Sequence, residues 1–119
     1  MDKENIISKE ELSKLLNSFG VPVDEGIALE NKQNKTHIVY WPFLEEDIRS
    51  SGTAIKNLVT YQISIFSSFP QCREYKELRK KLREKGIQPT FQHEFVEKDA
   101  IFSRMWHTFF SVDVLEEVD

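Results

Sequence analysis

The sequence predicts an α+β fold: a four- to five-stranded, mostly antiparallel sheet with two helices packed on one face, in the order α-β-β-β-α-β-β. Three observations lead there. Residues 55–86 open with an alternation, Val59, Tyr61, Ile63 and Ile65 against Thr60, Gln62 and Ser64, then change to a helical period in a charged run closed by Gly86. Residues 8–20 carry a capping signal, an apolar helical stripe and a terminal glycine. Residues after 89 alternate aromatic side chains along two further strands.

In chain order, residues 1–5 are polar and expected to fray. Ser8-Lys9-Glu10-Glu11 fits the S-x-x-E capping box, flanked by Ile7 and Leu12 at the positions of a hydrophobic staple. Leu12, Leu15, Leu16 and Phe19 form a core-facing stripe, and Gly20 is placed to end the helix in a left-handed conformation. Pro22 prevents continuation. Residues 27–29 are a short strand candidate, residues 30–35 a polar turn, and residues 36–41 a second strand with Ile38 and Tyr40 facing opposite to His37, Val39 and Trp41. Together they read as an antiparallel hairpin that Pro42 ends. Residues 43–52 read as a long loop mixing Phe43, Leu44 and Ile48 with Glu45, Glu46 and Asp47.

After the central strand, Ser68-Phe69-Pro70-Gln71 reads as a second capping box with Pro70 in the first helical turn. Cys72, Tyr75, Leu78 and Leu82 make the buried face of that helix, and Arg73, Lys76, Arg79, Lys80 and Arg83 line one flank. Pro89 precedes a strand with Phe91, His93 and Phe95 on one face, and residues 97–99 turn it into a last strand over residues 101–112. That strand is apolar on both faces, so either another subunit covers one face or the strand is central to a thick core. Residues 113–119 are acidic, with Val114 and Leu115 as anchors; residues 114–119, like 1–5, are expected to be flexible ends of one domain spanning residues 1–119.

The 119 residues fit one core. Nine phenylalanines are compatible with a Phe-rich core or with aromatic area buried between chains. A net charge of −4 gives no global field to recruit nucleic acid, and one cysteine, Cys72, excludes an internal disulfide framework. Residues 1–5 lack a signal peptide's apolar segment, and no run approaches the roughly 20 apolar residues that span a bilayer. The expectation is a soluble intracellular protein.

Candidate chemistry is sparse. His37, His93 and His107 are scattered over different strands, which argues against a metal site. Cys72 has no partner base, the four glycines make no phosphate loop, and Glu45, Glu46 and Asp47 have no apolar pocket to separate their titrations. The expectation is a non-enzyme without cofactor or metal. The site residues expected to matter are those of a protein interface: Phe43, Leu44, Glu45, Glu46, Asp47 and Ile48 in the loop, with Arg73, Lys76, Lys80 and Arg83 on the helix. The basic flank is open to three readings: phosphate contact, pairing with acids of another chain, or plain solvation.

Several stretches are similar to one family. Gly20-Val21-Pro22-Val23 looks like its glycine–aliphatic–proline lead-in to the first strand. Residues 36–41 look like its second strand, residues 57–66 like its Y-x-I-x-hydrophobic-aromatic strand before the second helix, and residues 101–110 like its final aromatic strand. On these the chain resembles the head–tail joining and tail-terminator (tail completion) proteins of long-tailed bacteriophages. It departs from their pattern at residues 51–54, Ser-Gly-Thr-Ala, where Asp- or Asn-like residues are usual. The resemblance implies a structural phage or prophage protein of the virion, assembled in the host cytoplasm. It would form a ring, typically of six copies, at the head-proximal end of the tail. Its partners would be its own copies, the tail tube protein and the head connector. No membrane partner is implied, and sequence-specific nucleic acid is not expected. The alternative reading is a non-enzymatic regulatory or immunity-type module that binds one protein partner.

Overall fold

A computed structural model describes residues 6–26, 36–49, 55–96 and 105–117. It is an α+β arrangement of two helices and a mixed sheet, with six strands among the described residues. In chain order these are β1 (Ile6–Ile7), α1 (Lys9–Leu16), β2 (Val23–Glu25), β3 (His37–Arg49), β4 (Ile55–Ser67), α2 (Arg73–Glu84), β5 (Gln92–Val96) and β6 (Met105–Glu117). Across the sheet the order is β1-β6-β4-β3-β2, and β5 also pairs with β6. Three antiparallel strands of 13 residues, β3, β4 and β6, form its body; at about 3.3 Å per residue each runs roughly 43 Å.

Local chemistry accounts for the helix ends. Ser8 Oγ accepts from the Glu11 amide at 3.1 Å, so the expected cap at the start of α1 is present. A 3-10 turn, Asn17–Phe19, tightens the end of α1, and Gly20 follows at φ 74°, where a side chain would be strained. The second helix departs from expectation at its start. It begins at Arg73, with Cys72 as a cap that makes no side-chain bond, and Pro70 stays in the preceding turn. Its end is a Schellman motif: the Gly86 amide donates to the Arg83 carbonyl (3.0 Å) and the Ile87 amide to the Leu82 carbonyl (2.9 Å). Ile87 and Leu82 are both buried, the apolar contact that accompanies this motif.

Four sheet expectations require correction. The sheet has six strands rather than four or five, because the two-residue β1 adds a parallel pairing of Ile6 with Asp113 and Ile7 with Val114. The described strand that precedes β3 is Val23–Glu25; it runs parallel to β3, pairing Val23 with Ile38 and Glu25 with Tyr40, where an antiparallel partner was expected. The strand candidate at 27–29, the turns at 30–35 and 97–99, and residues 1–5, 50–54, 101–104 and 118–119 lie outside the described residues. Third, residues 43–49 are not a loop: β3 continues through Pro42 and pairs with β4 as far as Arg49 opposite Ile55. Fourth, residues 114–117, expected at a flexible end, continue β6 and pair with β4; Val114 is fully buried.

One apolar cluster joins α1 (Leu12, Leu15, Leu16), the turn residue Phe19 and α2 (Tyr75, Leu78, Leu82) to the odd-numbered positions of β4, Val59, Tyr61, Ile63 and Ile65. Ile38 and Tyr40 of β3 and Phe110, Val112 and Val114 of β6 complete it, each opposite a β4 residue of that face. Burying each such side chain stabilises the fold by about 1.5–3 kcal/mol before chain entropy is counted. A polar clasp joins the layers: Lys9 Nζ lies 3.3 Å from Glu25 Oε2 and 5.3 Å from the Tyr61 ring centroid, and Tyr40 donates to Glu25 Oε1 (3.4 Å).

Candidate functional site

The helices account for one face of the sheet. Register places the alternate set on the other: His37, Val39, Trp41, Leu44, Glu46 and Ile48 of β3; Lys56, Leu58, Thr60, Gln62, Ser64 and Phe66 of β4; His107, Phe109, Ser111, Asp113 and Leu115 of β6. Among the described residues no helix covers this face, and about half of those side chains are apolar; His37, Val39 and Ser64 are nonetheless buried on it. Leu44, Ile48 and Leu115 are exposed there. Phe43, at 54% exposure, sits in a register shift between Pro42 and Leu44 and belongs to neither alternating row.

The interface residues predicted in the loop, Phe43 to Ile48, therefore fall on a paired strand blade. Glu46 pairs with Leu58 and Ile48 with Lys56 on the uncovered face, while Glu45 and Asp47 pair with Val59 and Asn57 on the opposite one. Glu45 Oε1 accepts from Asn57 Nδ2 at 3.1 Å. The six residues Phe43 to Ile48 thus form a two-sided strand edge with acids on both sides.

The basic flank of α2 is exposed but not uniform. Arg73 is held by Glu74 (3.2 Å) and Glu77 (3.8 Å), and Arg79 bonds the Tyr75 hydroxyl with its guanidinium over Phe91. Lys76, Lys80 and Arg83 have no carboxylate within ion-pair distance among the described residues. Nor does a described ion pair join this flank to Glu45, Glu46 or Asp47. The two charged patches occupy separate parts of one subunit.

Sequence reasoning missed what the register assembles at the end of the uncovered sheet face where β3 begins and β4 ends. Two of the three histidines, His37 and His107, are less scattered than their positions in the sequence imply. His37 stacks on Phe66 (centroids 5.0 Å apart, 18°), Phe66 on His107 (4.7 Å, 7°), and His107 on Phe109 (4.6 Å, 25°). His107 Nδ1 lies 3.0 Å from Glu94 Oε2 and its Nε2 lies 2.8 Å from Ser64 Oγ. An ionised carboxylate only accepts, so Nδ1 carries the hydrogen, and in the neutral ring Nε2 accepts from the Ser64 hydroxyl. Period-2 alternation alone signalled that Ser64 and His107 share a face; their pairing across 43 residues did not show in the sequence.

A carboxylate–imidazole–hydroxyl series has the layout that activates a serine nucleophile. Here it does not present one. Ser64 is 0% exposed, and its oxygen also receives a hydrogen bond from Gln62 Nε2 at 3.3 Å. An acyl group has no path to that oxygen without breaking the sheet face, so the series acts as a polar tie among β4, β5 and β6. His93 makes a different tie: its Nδ1 bonds Thr108 Oγ1 at 2.7 Å, and Thr108 donates to the Pro70 carbonyl at 3.1 Å. Among the described residues no three His, Cys, Asp or Glu side chains converge as metal ligands, and no helix is long and apolar enough to cross a membrane.

The titrations that depart from ordinary values belong to the clasp and not to the uncovered face. Burial, aided by the charge of Glu25, raises the Tyr40 pKa; burial likewise raises that of Tyr61, partly offset by Lys9. Burial works against the Lys9 ammonium, but its contacts with Tyr61 and Glu25 outweigh that and raise its pKa. No family model matches the chain, and no curated protein matches it in sequence.

Proposed function

We propose that this chain is a non-enzymatic structural subunit that assembles head-to-tail into a ring at the head-proximal end of a long phage tail. There it ends tail growth, joins the tail to the head connector, or does both. Its helices lie together on one sheet face and reserve the other for a neighbouring copy. The observation that carries the reading is that uncovered face: three 13-residue strands present Trp41, Leu44, Ile48, Leu58, Phe109 and Leu115 with no described helix over them. A sheet in water normally keeps such a face polar, and apolar area of this kind marks an interaction surface.

The separated patches support copies of the chain as the occupant. Acids on the blade and cations on α2 form no described ion pair with each other within a subunit, and a heterologous interface, in which one patch contacts a different patch, would bring them together. A phage-tail setting comes from the resemblance of residues 20–23, 36–41, 57–66 and 101–110.

Purified chain added to growing tail tubes of the encoding phage tests the proposal by electron microscopy. The expected result is a ring of density at one tube end and arrest of elongation there. Tubes that elongate unchanged, with bare ends, would remove the tail assignment. Capture of a single non-tail protein with one-to-one stoichiometry would favour the regulatory or immunity-type module instead.

A further inference from the structure

The outer edge of β3 is open along the blade. β2 pairs with β3 only from Ile38 to Tyr40, and among the described residues the stretch from Leu44 to Arg49 has β4 as its sole strand partner. The chain that joins β2 to β3 is too short to close the gap. Glu25 pairs with Tyr40, so Gly26 sits at the level of Trp41. Running from there up to Glu45 and back to Thr36 takes about 43 Å at ~3.3 Å per residue. The steps from Gly26 to Thr36 span at most about 36 Å when fully extended.

The register shift decides which backbone groups this edge offers. Before it, even-numbered residues turn theirs outward: the Ile38 amide donates to the Pro22 carbonyl and the Gly26 amide to the Tyr40 carbonyl, both at 2.9 Å. The extra residue between Pro42 and Leu44 hands that role to Glu45 and Asp47, while Glu46 and Ile48 turn their groups to β4. Unpaired edge groups of this kind template a further strand. The side chains divide by face. Leu44 and Ile48, both exposed, lie on the uncovered face with Glu46 between them, and Glu45 and Asp47 lie on the other.

We propose that this edge takes an extended basic segment of another protein as an added strand, with Lys or Arg side chains along Glu45 and Asp47 and apolar ones along Leu44 and Ile48. Charge selects that occupant. A second copy offering the same edge sets Glu45, Glu46 and Asp47 against their own counterparts, and like charges opposite each other in a strand pair are destabilising. A cationic strand turns each of those contacts into an attraction. Main-chain bonds then supply affinity, and alternate side chains supply selectivity. The inference goes beyond the ring reading and does not depend on it, because a single subunit carries the whole edge.

The probe is the peptide acetyl-Lys-Val-Lys-Val-Lys-Val-Lys-amide, added to the full chain at a concentration where the chain alone is monomeric. Amide hydrogen exchange is read residue by residue by NMR. The expected result is new protection at the Glu45 and Asp47 amides, with the Glu46 and Ile48 amides, which already face β4, little changed. The same peptide with Pro in place of its central Val keeps its charge, cannot complete the ladder, and should give no protection. Glu45→Lys combined with Asp47→Lys should weaken binding of the first peptide on the order of tenfold and leave the melting temperature unchanged. Equal binding of the two peptides with no protection at either amide would mean charge association alone and overturn the proposal. Absence of binding would overturn it too, leaving the acids as guards of the edge. Protection that appears in the free chain as its concentration rises would make a second copy the occupant and overturn it as well.

Discussion

Reversing charge on the free part of the α2 flank separates an assembly surface from a merely solvated one. The perturbation is Lys76→Glu with Lys80→Glu. Both side chains are exposed and lack a described carboxylate partner, so folding stability should change by no more than about 0.5 kcal/mol. Across an interface each exposed pair contributes about 0.2–1 kcal/mol, and reversal replaces that attraction by repulsion of similar size. Two sites then weaken each subunit contact by about 0.8–4 kcal/mol, or roughly 4- to 900-fold in the association constant. Sedimentation velocity over a concentration series reads this directly. The wild-type contact should also weaken with added salt, because exposed charges are screened within about 10 Å at 0.1 M. Combining the reversal with Glu46→Lys and Asp47→Lys should restore assembly. Unchanged assembly in the reversed chain, or no recovery in the combined one, would refute the pairing of blade and helix.

Other outcomes follow from the same contacts. Leu82→Ala removes a fully buried side chain that also anchors the helix-ending motif with Ile87; it should cost about 2–5 kcal/mol, seen as a lower urea midpoint at unchanged m-value. Ser64→Ala should lower stability by about 1–3 kcal/mol, because it removes the hydroxyl that bonds His107 Nε2, and should leave assembly intact. Loss of a hydrolytic activity in that variant would contradict the structural reading of the Ser64–His107–Glu94 series. In the clasp, Tyr40, Tyr61 and Lys9 all have folded-state pKa values above their unfolded ones, near 10 for tyrosine and 10.5 for lysine. Their contribution is fully present below pH 10 and is lost as pH rises through the higher folded values, so chemical-denaturation midpoints should fall above pH 10. Tyr40→Phe should flatten that fall, and an unchanged slope would exclude the clasp as its cause.

The parts legible in the sequence were those specified within a few neighbouring residues. The Ser8 cap, the Leu12–Phe19 stripe, Gly20, and the Tyr75–Leu78–Leu82 face ending at Gly86 each rest on spacing of three or four residues along the chain. The blade was hidden by Pro42. Pro42 faces Tyr61, but Leu44 faces Thr60, so one extra residue resets the alternation: Ile38 and Tyr40 point to the helices and Leu44 to the opposite side. A strict period of two ends at that shift and reads as a loop. The two-residue β1 gave no local signal, since its partners, Asp113 and Val114, lie more than a hundred residues away. The acidic and basic site residues were legible as charge, but not their division between a strand edge and a helix. The aromatic stack and its hydrogen bonds depend on the register of three strands, which no local pattern states.

The central claim, a ring subunit at the head end of a phage tail, is tested most directly by removing the gene from the encoding phage or prophage and examining the lysate by electron microscopy. The account predicts filled heads without tails, beside free tails that are overlong if the chain terminates growth and of normal length if it only joins. Intact virions in that lysate would contradict it.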